Sequence, residues 1–210
     1  MREPRPSSGY LLSVGDAVVD VWTAPAGDDS RATAHALLLS LARTLIGDPV
    51  LTHSELGRPE VAGLAVSISH SHSLVAVAAR RTGVVGIDVE DVYPRDVSGL
   101  ARRWFDPAEL EWMDGDLLAF LQLWTAKEAV GKALGQGLRN SGLRRRMPLI
   151  DGPVESLPGF HVVRLPLEGA VLAVALDEPP VEIVLTEHHD TALRSTVRSR
   201  TSFPVVVRGN

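Results

Sequence analysis

The chain has 210 residues, 45% of them hydrophobic, and its 21 basic and 26 acidic residues give a net charge of −5. This acidic balance argues against a general nucleic-acid-binding protein, and the absence of cysteine excludes disulfides, thiolate metal sites and cysteine nucleophiles. Because no apolar run resembles a signal peptide or could span a bilayer, we expect a cytoplasmic protein with a hydrophobic core and no membrane partner.

The first half of the sequence predicts a strand, a helix and then three short strands. The first strand falls within residues 10–23, after a polar stretch at 1–9 that we expect to be frayed. The helix covers 31–46 and ends at Gly47. The three strands cover 64–69, 74–79 and 84–92. Because the breaks between them are short, they favour antiparallel neighbours, which form a meander.

The second half follows the same order of elements, although its residue identities do not repeat those of the first. The segment Asp106-Pro107-Ala108-Glu109 is typical of a helix start, and a long helix should run from 116 to 134 and end at Gly135. Strands are predicted at 160–165, 170–176 and 181–186, and the tail at 189–210 is expected to be loosely held.

We therefore predict an α+β protein made of two similar halves, residues 1–94 and 95–210. Each half should pack a long helix on a small antiparallel three-stranded meander, and the active site should lie at the junction of the halves. Since the two halves can build a cleft within one chain, we expect a monomer.

Lysine is rare in this chain, and both copies fall in one short segment. Lys127 and Lys132 lie between Trp124 and Gly135, whereas the other 19 of the 21 basic residues are arginines. Lysine is a compact point charge and arginine a planar fork, so the two are poor substitutes where a site binds phosphate or orients a carboxylate. The segment is therefore a candidate site, with a solvated helix face as the alternative.

Two carboxylates point to the same side of the strand predicted at 84–92. Because side chains alternate along a strand, Gly86, Asp88 and Glu90 share one face, and the apolar residues between them share the other. Two like charges on one face repel each other unless a cation lies between them, and Gly86 leaves room for a ligand beside them. A half-exposed strand with a polar outer face is the alternative.

A third carboxylate lies on the predicted long helix. Glu128 falls on the apolar stripe of that helix, where a leucine would be expected, and an unpaired buried carboxylate is costly. One interpretation is a helix ion pair with Lys132, four residues on. The other is that Glu128 faces Asp88 and Glu90, and that the three carboxylates bind Mg²⁺, or Mn²⁺ in its place, together with water and a phosphate.

These segments together resemble the paired motifs of the Sfp-type 4′-phosphopantetheinyl transferases. The family pattern G-[IV]-D-x-E matches residues 86–90, and W-x-x-K-E-[AS]-x-x-K matches residues 124–132. The element G-x-G-L follows at 135–138, and the earlier elements G-[RK]-P and S-x-S-H-S match 57–59 and 67–71 in the family's order. The family fold has two similar α+β halves in one chain, which agrees with the predicted organisation.

The resemblance implies an enzyme that moves the phosphopantetheine arm of coenzyme A to a serine of an apo acyl or peptidyl carrier protein and releases 3′,5′-ADP. It implies that the carboxylates of Asp88, Glu90 and Glu128 bind Mg²⁺. The residues that it implies in coenzyme A binding are Arg31, Arg58, Pro59, Ser69, His70 and Lys132. His70 and Lys132 would contact phosphates, whereas Lys127 would have a structural role.

Three residues are the expected catalytic groups: Glu128, Lys132 and His70. Glu128 is the first candidate for the base that takes the serine proton, directly or through water. Glu109 is the second candidate, and a capping glutamate in the first turn of a helix is the alternative for it. A non-catalytic carrier-binding or coenzyme A-binding module and a Mg²⁺-dependent phosphohydrolase are the alternatives for the whole protein.

Overall fold

A computed structural model of the chain describes residues 18–135, 142–180, 182–191, 193 and 197–204. The helices are α1 (Ser30–Ile46), α2 (Ser98–Trp104), α3 (Pro107–Met113) and α4 (Leu117–Ala133), with a 3₁₀ turn at Gly142–Arg144. The strands are β1 (Val18–Pro25), β2 (Leu51–His53), β3 (Pro59–Val61), β4 (Ala65–His70), β5 (Leu74–Arg80), β6 (Val85–Asp91), β7 (Gly152–Pro153), β8 (His161–Leu167), β9 (Ala170–Leu176), β10 (Glu182–His188) and β11 (Val197–Pro204). The predicted α+β class is confirmed, whereas the expectation for residues 1–9 lies outside the described residues.

The strands form two main sheets and one small hairpin. The larger sheet has the order β11-β10-β1-β5-β4, the second has the order β6-β9-β8-β7, and β2 pairs with β3. β1 runs parallel to β10, and the other pairings are antiparallel. β4 lies at one edge of the larger sheet and carries the serine-histidine motif. β6 lies at one edge of the second sheet and carries the acidic motif.

The two main sheets pack face to face, and helices cover their outer faces. The inner layer takes its apolar side chains from β1, β5 and β10 on one side and from β6, β8 and β9 on the other. Leucines of α1 cover the outer face of the larger sheet. The helices α2, α3 and α4 cover the outer face of the second sheet. This order of layers puts α1 and α4 on opposite sides of the molecule, with both edge strands between them.

The prediction of two separate meanders is wrong in the third strand of each. β4 and β5 pair as predicted, but β6 pairs with β9. Likewise β8 and β9 pair, but β10 pairs with β1. The turn after β5, with Gly83 at a φ of 73°, carries the chain to the facing sheet, so that the apolar face of β6 packs over β5 instead of pairing beside it. The division of the chain between residues 94 and 95 stays a prediction.

The helix ends follow the sequence signals. Asp29 accepts a hydrogen bond from the Ala32 amide and caps α1, which ends at Gly47 with a φ of 86°. Asp106 and Glu109 form a capping box at the start of α3, so the capping interpretation of Glu109 is confirmed.

The tail, predicted to be loosely held, contributes the edge strand β11. In the described part of the chain, no helix has the length and apolar character needed to cross a membrane.

Candidate functional site

A cleft of about 710 Å³ opens beside the edge strands β4 and β6, and its walls also include residues of α1, β2, β3 and α4. All but one of the residues expected to bind the metal or coenzyme A line it: Arg31, Pro59, Ser69, His70, Asp88, Glu90, Glu128 and Lys132. The exception, Arg58, lines an adjoining cleft of about 230 Å³, which shares Pro59 and Lys132 with the first. Residues from widely separated motifs are thus brought to one place.

Asp88 is the most enclosed acidic group of this cleft, with 6% of its surface exposed. Its Oδ1 accepts hydrogen bonds from Lys132 Nζ and from Ser69 Oγ, both at 2.8 Å. Its Oδ2 is buried and has no hydrogen-bond partner among the described residues. Lys132 Nζ also donates to the Ile87 carbonyl at 3.0 Å, so this lysine reaches across to β6 instead of forming the helix ion pair with Glu128.

The Glu90 carboxylate is held by an arginine that the sequence motifs did not include. Arg95 Nη2 donates to Glu90 Oε2 at 2.8 Å, and Nη1 donates to the Asp91 carbonyl at 3.2 Å. The guanidinium also lies 4.3 Å from the ring centroid of Tyr93. Burial and the neighbouring charge of Asp88 raise the pKa of Glu90, whereas Arg95 lowers it.

Glu128 faces the cleft from α4. Its predicted place in the core is wrong, because its side chain is only half-buried and the fully buried charged residue of α4 is its neighbour Lys127. Burial, with the negative charge of Asp88 and a smaller contribution from Glu90, raises the pKa of Glu128 to about 7, and Lys132 opposes this shift. The carboxylates of β6 and α4 therefore share one region of negative potential.

Gly86 has a different role from the predicted one. A Cβ atom on Gly86 would lie 1.9 Å from the Ala129 carbonyl oxygen and 2.6 Å from the Ala133 amide nitrogen. The backbone of α4 thus passes over β6 closer than any side chain allows. Gly86 makes room for a helix and not for a ligand, and this close approach brings Glu128 and Lys132 to Asp88.

Serine hydroxyls join the two edge strands, which belong to different sheets. Ser67 Oγ accepts a hydrogen bond from the Ile87 amide at 3.1 Å, and Ser69 Oγ accepts one from the Val89 amide at 3.3 Å. These contacts replace the backbone ladder that β4 and β6 do not form. They hold His70, at the end of β4, on the rim of the cleft.

Lys127 lies on a different side of α4, in a closed ion pair. Its Nζ donates to both carboxylate oxygens of Glu109, at 2.7 and 2.8 Å, and to the Arg145 carbonyl at 2.6 Å. Glu109 also accepts hydrogen bonds from the amides of Asp106 and Met147. Because Glu109 is fully buried and its oxygens are occupied, it is not placed to serve as the second candidate base.

The acidic residues of the cleft are of the type that binds a hard cation, but their carboxylates are not arranged as a complete set of metal ligands. Among the described residues, no group of three or more histidine, aspartate or glutamate side chains is placed to hold a metal ion. Lys132 and Arg95 instead occupy oxygens of Asp88 and Glu90. Three carboxylates on one cleft, with a buried Asp88 oxygen that has no partner, are nevertheless the donors that Mg²⁺ prefers.

Two further cleft residues were missed by the sequence reasoning, His35 on α1 and His53 on β2. His35 lies four positions after Arg31, so helical periodicity would have placed both on one face of α1. For His53 the sequence offers no comparable signal, because β2 is a three-residue strand whose position depends on its pairing with β3. The element G-x-G-L continues into residues 136–138, which lie outside the described residues.

Comparison with known proteins agrees with this site. The profile of the 4′-phosphopantetheinyl transferase superfamily matches residues 84–163, which include β6 and α4 with their motifs. It does not reach Arg31, Arg58 or the serine segment of β4. The profile therefore does not bear on the cleft residues of the first half.

Curated relatives carry the same name. The 4′-phosphopantetheinyl transferase HetI of Nostoc sp. is 38% identical over 82 residues, which are 36% of this chain and 35% of that protein. The 4′-phosphopantetheinyl transferase AcpT of Salmonella typhimurium is 34% identical over 114 residues, 50% of this chain and 59% of that protein. The 4′-phosphopantetheinyl transferase gsp of Aneurinibacillus migulanus is 34% identical over 91 residues, 40% of this chain and 38% of that protein.

The match therefore spans between about a third and three fifths of the length of these relatives. The superfamily profile covers both the acidic motif of β6 and the lysine motif of α4. The resemblance seen in the sequence is confirmed: the segment 84–163 that carries these motifs matches the profile of the 4′-phosphopantetheinyl transferase superfamily, and the relatives carry that name.

Proposed function

We propose that this chain transfers the 4′-phosphopantetheine arm of coenzyme A to a serine of an apo acyl or peptidyl carrier protein and releases 3′,5′-ADP. The observation that carries the proposal is the cleft, in which residues from four of the five motifs, on or beside β3, β4, β6 and α4, meet Arg31 of α1. Its volume of about 710 Å³ is in the range of pockets that enclose a ligand of nucleotide size.

The residues that would hold Mg²⁺ are Asp88, Glu90 and Glu128. Two observations support this assignment. Asp88 Oδ2 is buried without a partner among the described residues, and burial, with the charge of Asp88, raises the pKa of Glu128. A cation would stabilise both carboxylates. Bound Mg²⁺ would neutralise charge on the pyrophosphate of coenzyme A and on the departing 3′,5′-ADP.

The protein side of the cleft supplies positive charge and hydrogen-bond donors. The Lys132 side chain is 27% exposed and its Nζ lies beside Asp88, which supports a contact with a pyrophosphate oxygen. His70 offers a ring N–H from the rim of the cleft, and Arg31 lines the cleft from α1. Phosphoryl transfer depends chiefly on positioning and on charge stabilisation, and these groups provide both.

Glu128 is the proposed base. In the transfer, the serine Oγ of the carrier forms a bond to the β-phosphorus while the bond from this phosphorus to the bridging oxygen breaks, and the serine proton passes to Glu128. Its half-buried carboxylate lines the cleft, where the proton can pass to it directly or through a water.

The test is a mass measurement on an apo carrier incubated with coenzyme A, Mg²⁺ and the purified chain. Transfer gives a mass gain on the carrier, a phosphohydrolase gives cleaved coenzyme A without it, and a binding module gives neither. Asp88→Ala and Glu128→Ala should each abolish the gain, and Glu111→Ala, on an exposed position of α3, should retain it. Full activity of either cleft variant would remove these carboxylates from the site.

A further inference from the structure

The serine contacts between β4 and β6 continue one step beyond Ser67 and Ser69. Ser71, directly after β4, donates a hydrogen bond from its Oγ to Asp91 Oδ1 at 2.8 Å. Each of the three contacts joins residues that are 20 positions apart in the sequence, so β4 and β6 run side by side in the same direction. Asp91, the last residue of β6, therefore ends this row of contacts beside the end of β4 that carries His70.

Both carboxylate oxygens of Asp91 are bound to one turn, the segment 71–73. Oδ1 accepts a second hydrogen bond from Ser73 Oγ at 2.5 Å, and Oδ2 accepts one from the Ser73 amide at 3.0 Å. Asp91 is 9% exposed. Unlike Asp88, it has no buried oxygen left without a partner among the described residues. Its carboxylate is therefore placed to hold the turn and not to bind a ligand.

The same turn has hydrogen bonds that do not depend on Asp91. The Ser71 amide donates to the Leu74 carbonyl at 2.8 Å and closes the turn. The Ala26 amide, in the loop before α1, donates to the Ser73 carbonyl at 2.8 Å. Without the Asp91 carboxylate, the turn would keep its own fold and its contact with this loop, and would lose its side-chain attachment to the end of β6.

His70 lies between two residues that are anchored to β6. Ser69 Oγ donates to Asp88 Oδ1 at 2.8 Å on one side, and Ser71 is bound to Asp91 on the other. Because side chains alternate along a strand, the serines face β6 while His70 points to the other face of β4, where it lines the cleft. The place of the imidazole relative to the carboxylates of β6 thus depends on both anchors.

We propose that Asp91 is a positioning residue for the transfer: by holding the turn 71–73 on β6, it fixes His70 relative to Asp88 and Glu90. Its effect on the reaction passes through His70, since its own oxygens are occupied by the turn. A displacement of about 1 Å of a group that orients a substrate can cost about a hundredfold in rate. The inference rests on the proposed function, in which His70 contacts a phosphate of coenzyme A.

The experiment measures coenzyme A binding by calorimetry and transfer by the mass gain of an apo carrier. Asp91→Leu, which removes both acceptors, should lower kcat/KM for coenzyme A by about tenfold. Asp91→Asn should stay within about threefold of the wild type, because its amide can still accept from the Ser73 amide and donate to a serine hydroxyl. Asp151→Leu is the matched control: this aspartate, before β7, accepts a hydrogen bond from the Arg164 amide, and its loss should leave kcat/KM unchanged.

A second variant removes the donors and leaves β6 intact. Ser71→Ala combined with Ser73→Ala should match the loss seen in Asp91→Leu, and adding Asp91→Leu to it should cost little more. In a His70→Gln background, Asp91→Leu should lower kcat/KM by less than about twofold, because the group that it positions is gone. An equal loss in both His70 backgrounds, or normal transfer by the double serine variant, would overturn the positioning role.

The outcomes separate this inference from the proposed function. Losses of coenzyme A affinity that are coupled between Asp91 and His70, without any mass gain on carriers, would keep the positioning role and refute the transferase. A mass gain without this coupling would do the opposite. If the wild type binds no coenzyme A, the proposed function fails, and the imidazole signal of His70 in nuclear magnetic resonance decides the inference. This signal, assigned with His70→Gln, should shift in Asp91→Leu and stay in place in Asp151→Leu; an unshifted signal in Asp91→Leu would refute the anchor.

Discussion

The two lysines of α4 lie five residues apart and have opposite surroundings. The Lys127 side chain and that of its partner Glu109 are both fully buried, and Glu109 accepts two further hydrogen bonds from backbone amides. The Lys132 side chain is 27% exposed, and its partner Asp88 keeps one oxygen without a partner among the described residues. One pair is closed by the fold, and the other is open toward the cleft.

This difference teaches how one helix serves both structure and chemistry. A buried ion pair persists only when every lone pair and proton is satisfied, and such a pair has nothing left to offer a ligand. The incomplete pair at Asp88 keeps a buried acceptor without a partner among the described residues, next to a lysine that is partly exposed. Unsatisfied charge near a cavity is a mark of a ligand site, and satisfied charge in a core is a mark of structure.

The largest expected effect comes from breaking the closed pair. Lys127→Met should lower the free energy of unfolding by about 3–5 kcal/mol, because it leaves the buried Glu109 without its cation. The measurement is chemical denaturation followed by circular dichroism. Adding Glu109→Leu to Lys127→Met should restore part of the loss, since it removes the orphaned charge. A loss below about 1 kcal/mol would show that this pair is not needed for the fold.

Breaking the open pair of Lys132 and Asp88 should lower the activity more than the stability. Lys132→Met should reduce kcat/KM for coenzyme A by about a hundredfold, because it removes a cation from the transferring phosphate. Its unfolding free energy should fall less than that of Lys127→Met, because Lys132 is 27% exposed and Ser69 still donates a hydrogen bond to Asp88. Transfer assays and denaturation on the same preparation check both values. A variant that transfers normally would assign Lys132 to structure.

The sequence placed both lysines correctly on the long helix, but only the family resemblance, and not the residue pattern, gave them different roles. Alternation along β6 and periodicity along α4 predicted which residues share a face, because these patterns depend on local geometry alone. Whether Lys127 or Glu128 enters the core depends on α3 and on the loop before Met147, which are distant in the chain. The sequence pattern therefore predicted that Glu128 is buried in the core, whereas the buried residue is its neighbour Lys127.

For a related reason, the sequence could not predict that β6 pairs with β9 and that β10 pairs with β1. An alternating strand such as β6 has the same pattern whether its apolar face packs on a sheet beside it or across from it. A short turn indicated pairing with β5, whereas the structure uses it to cross between sheets. The steric role of Gly86 was likewise invisible, because only the position of α4 reveals it.

The close approach at Gly86 offers a way to disturb the open pair without touching a charge. Gly86→Ala should lower the unfolding free energy by about 1–3 kcal/mol or more, because the methyl group would meet the backbone of α4 at Ala129. The displaced helix should also lower transfer, since Lys132 and Glu128 move with it. Gly99→Ala, with open space around it on α2, is the matched control and should leave stability unchanged or slightly raised. A neutral Gly86→Ala would contradict the close contact.

The smallest effect is a pH dependence that belongs to the open side of α4. Since the pKa of Glu128 is raised from 4.5 to about 7, the folded protein binds more protons than the unfolded chain between these values. The free energy of unfolding should therefore be highest below pH 4.5 as far as this group is concerned, and should fall as the pH rises to about 7. Glu128→Gln should flatten this slope in denaturation experiments with a chelator present. Glu90, whose pKa is also raised, should keep part of the slope in that variant. An identical slope in the wild type and in Glu128→Gln would mean that Glu128 does not share the field of Asp88, and the shared metal site would lose its electrostatic basis.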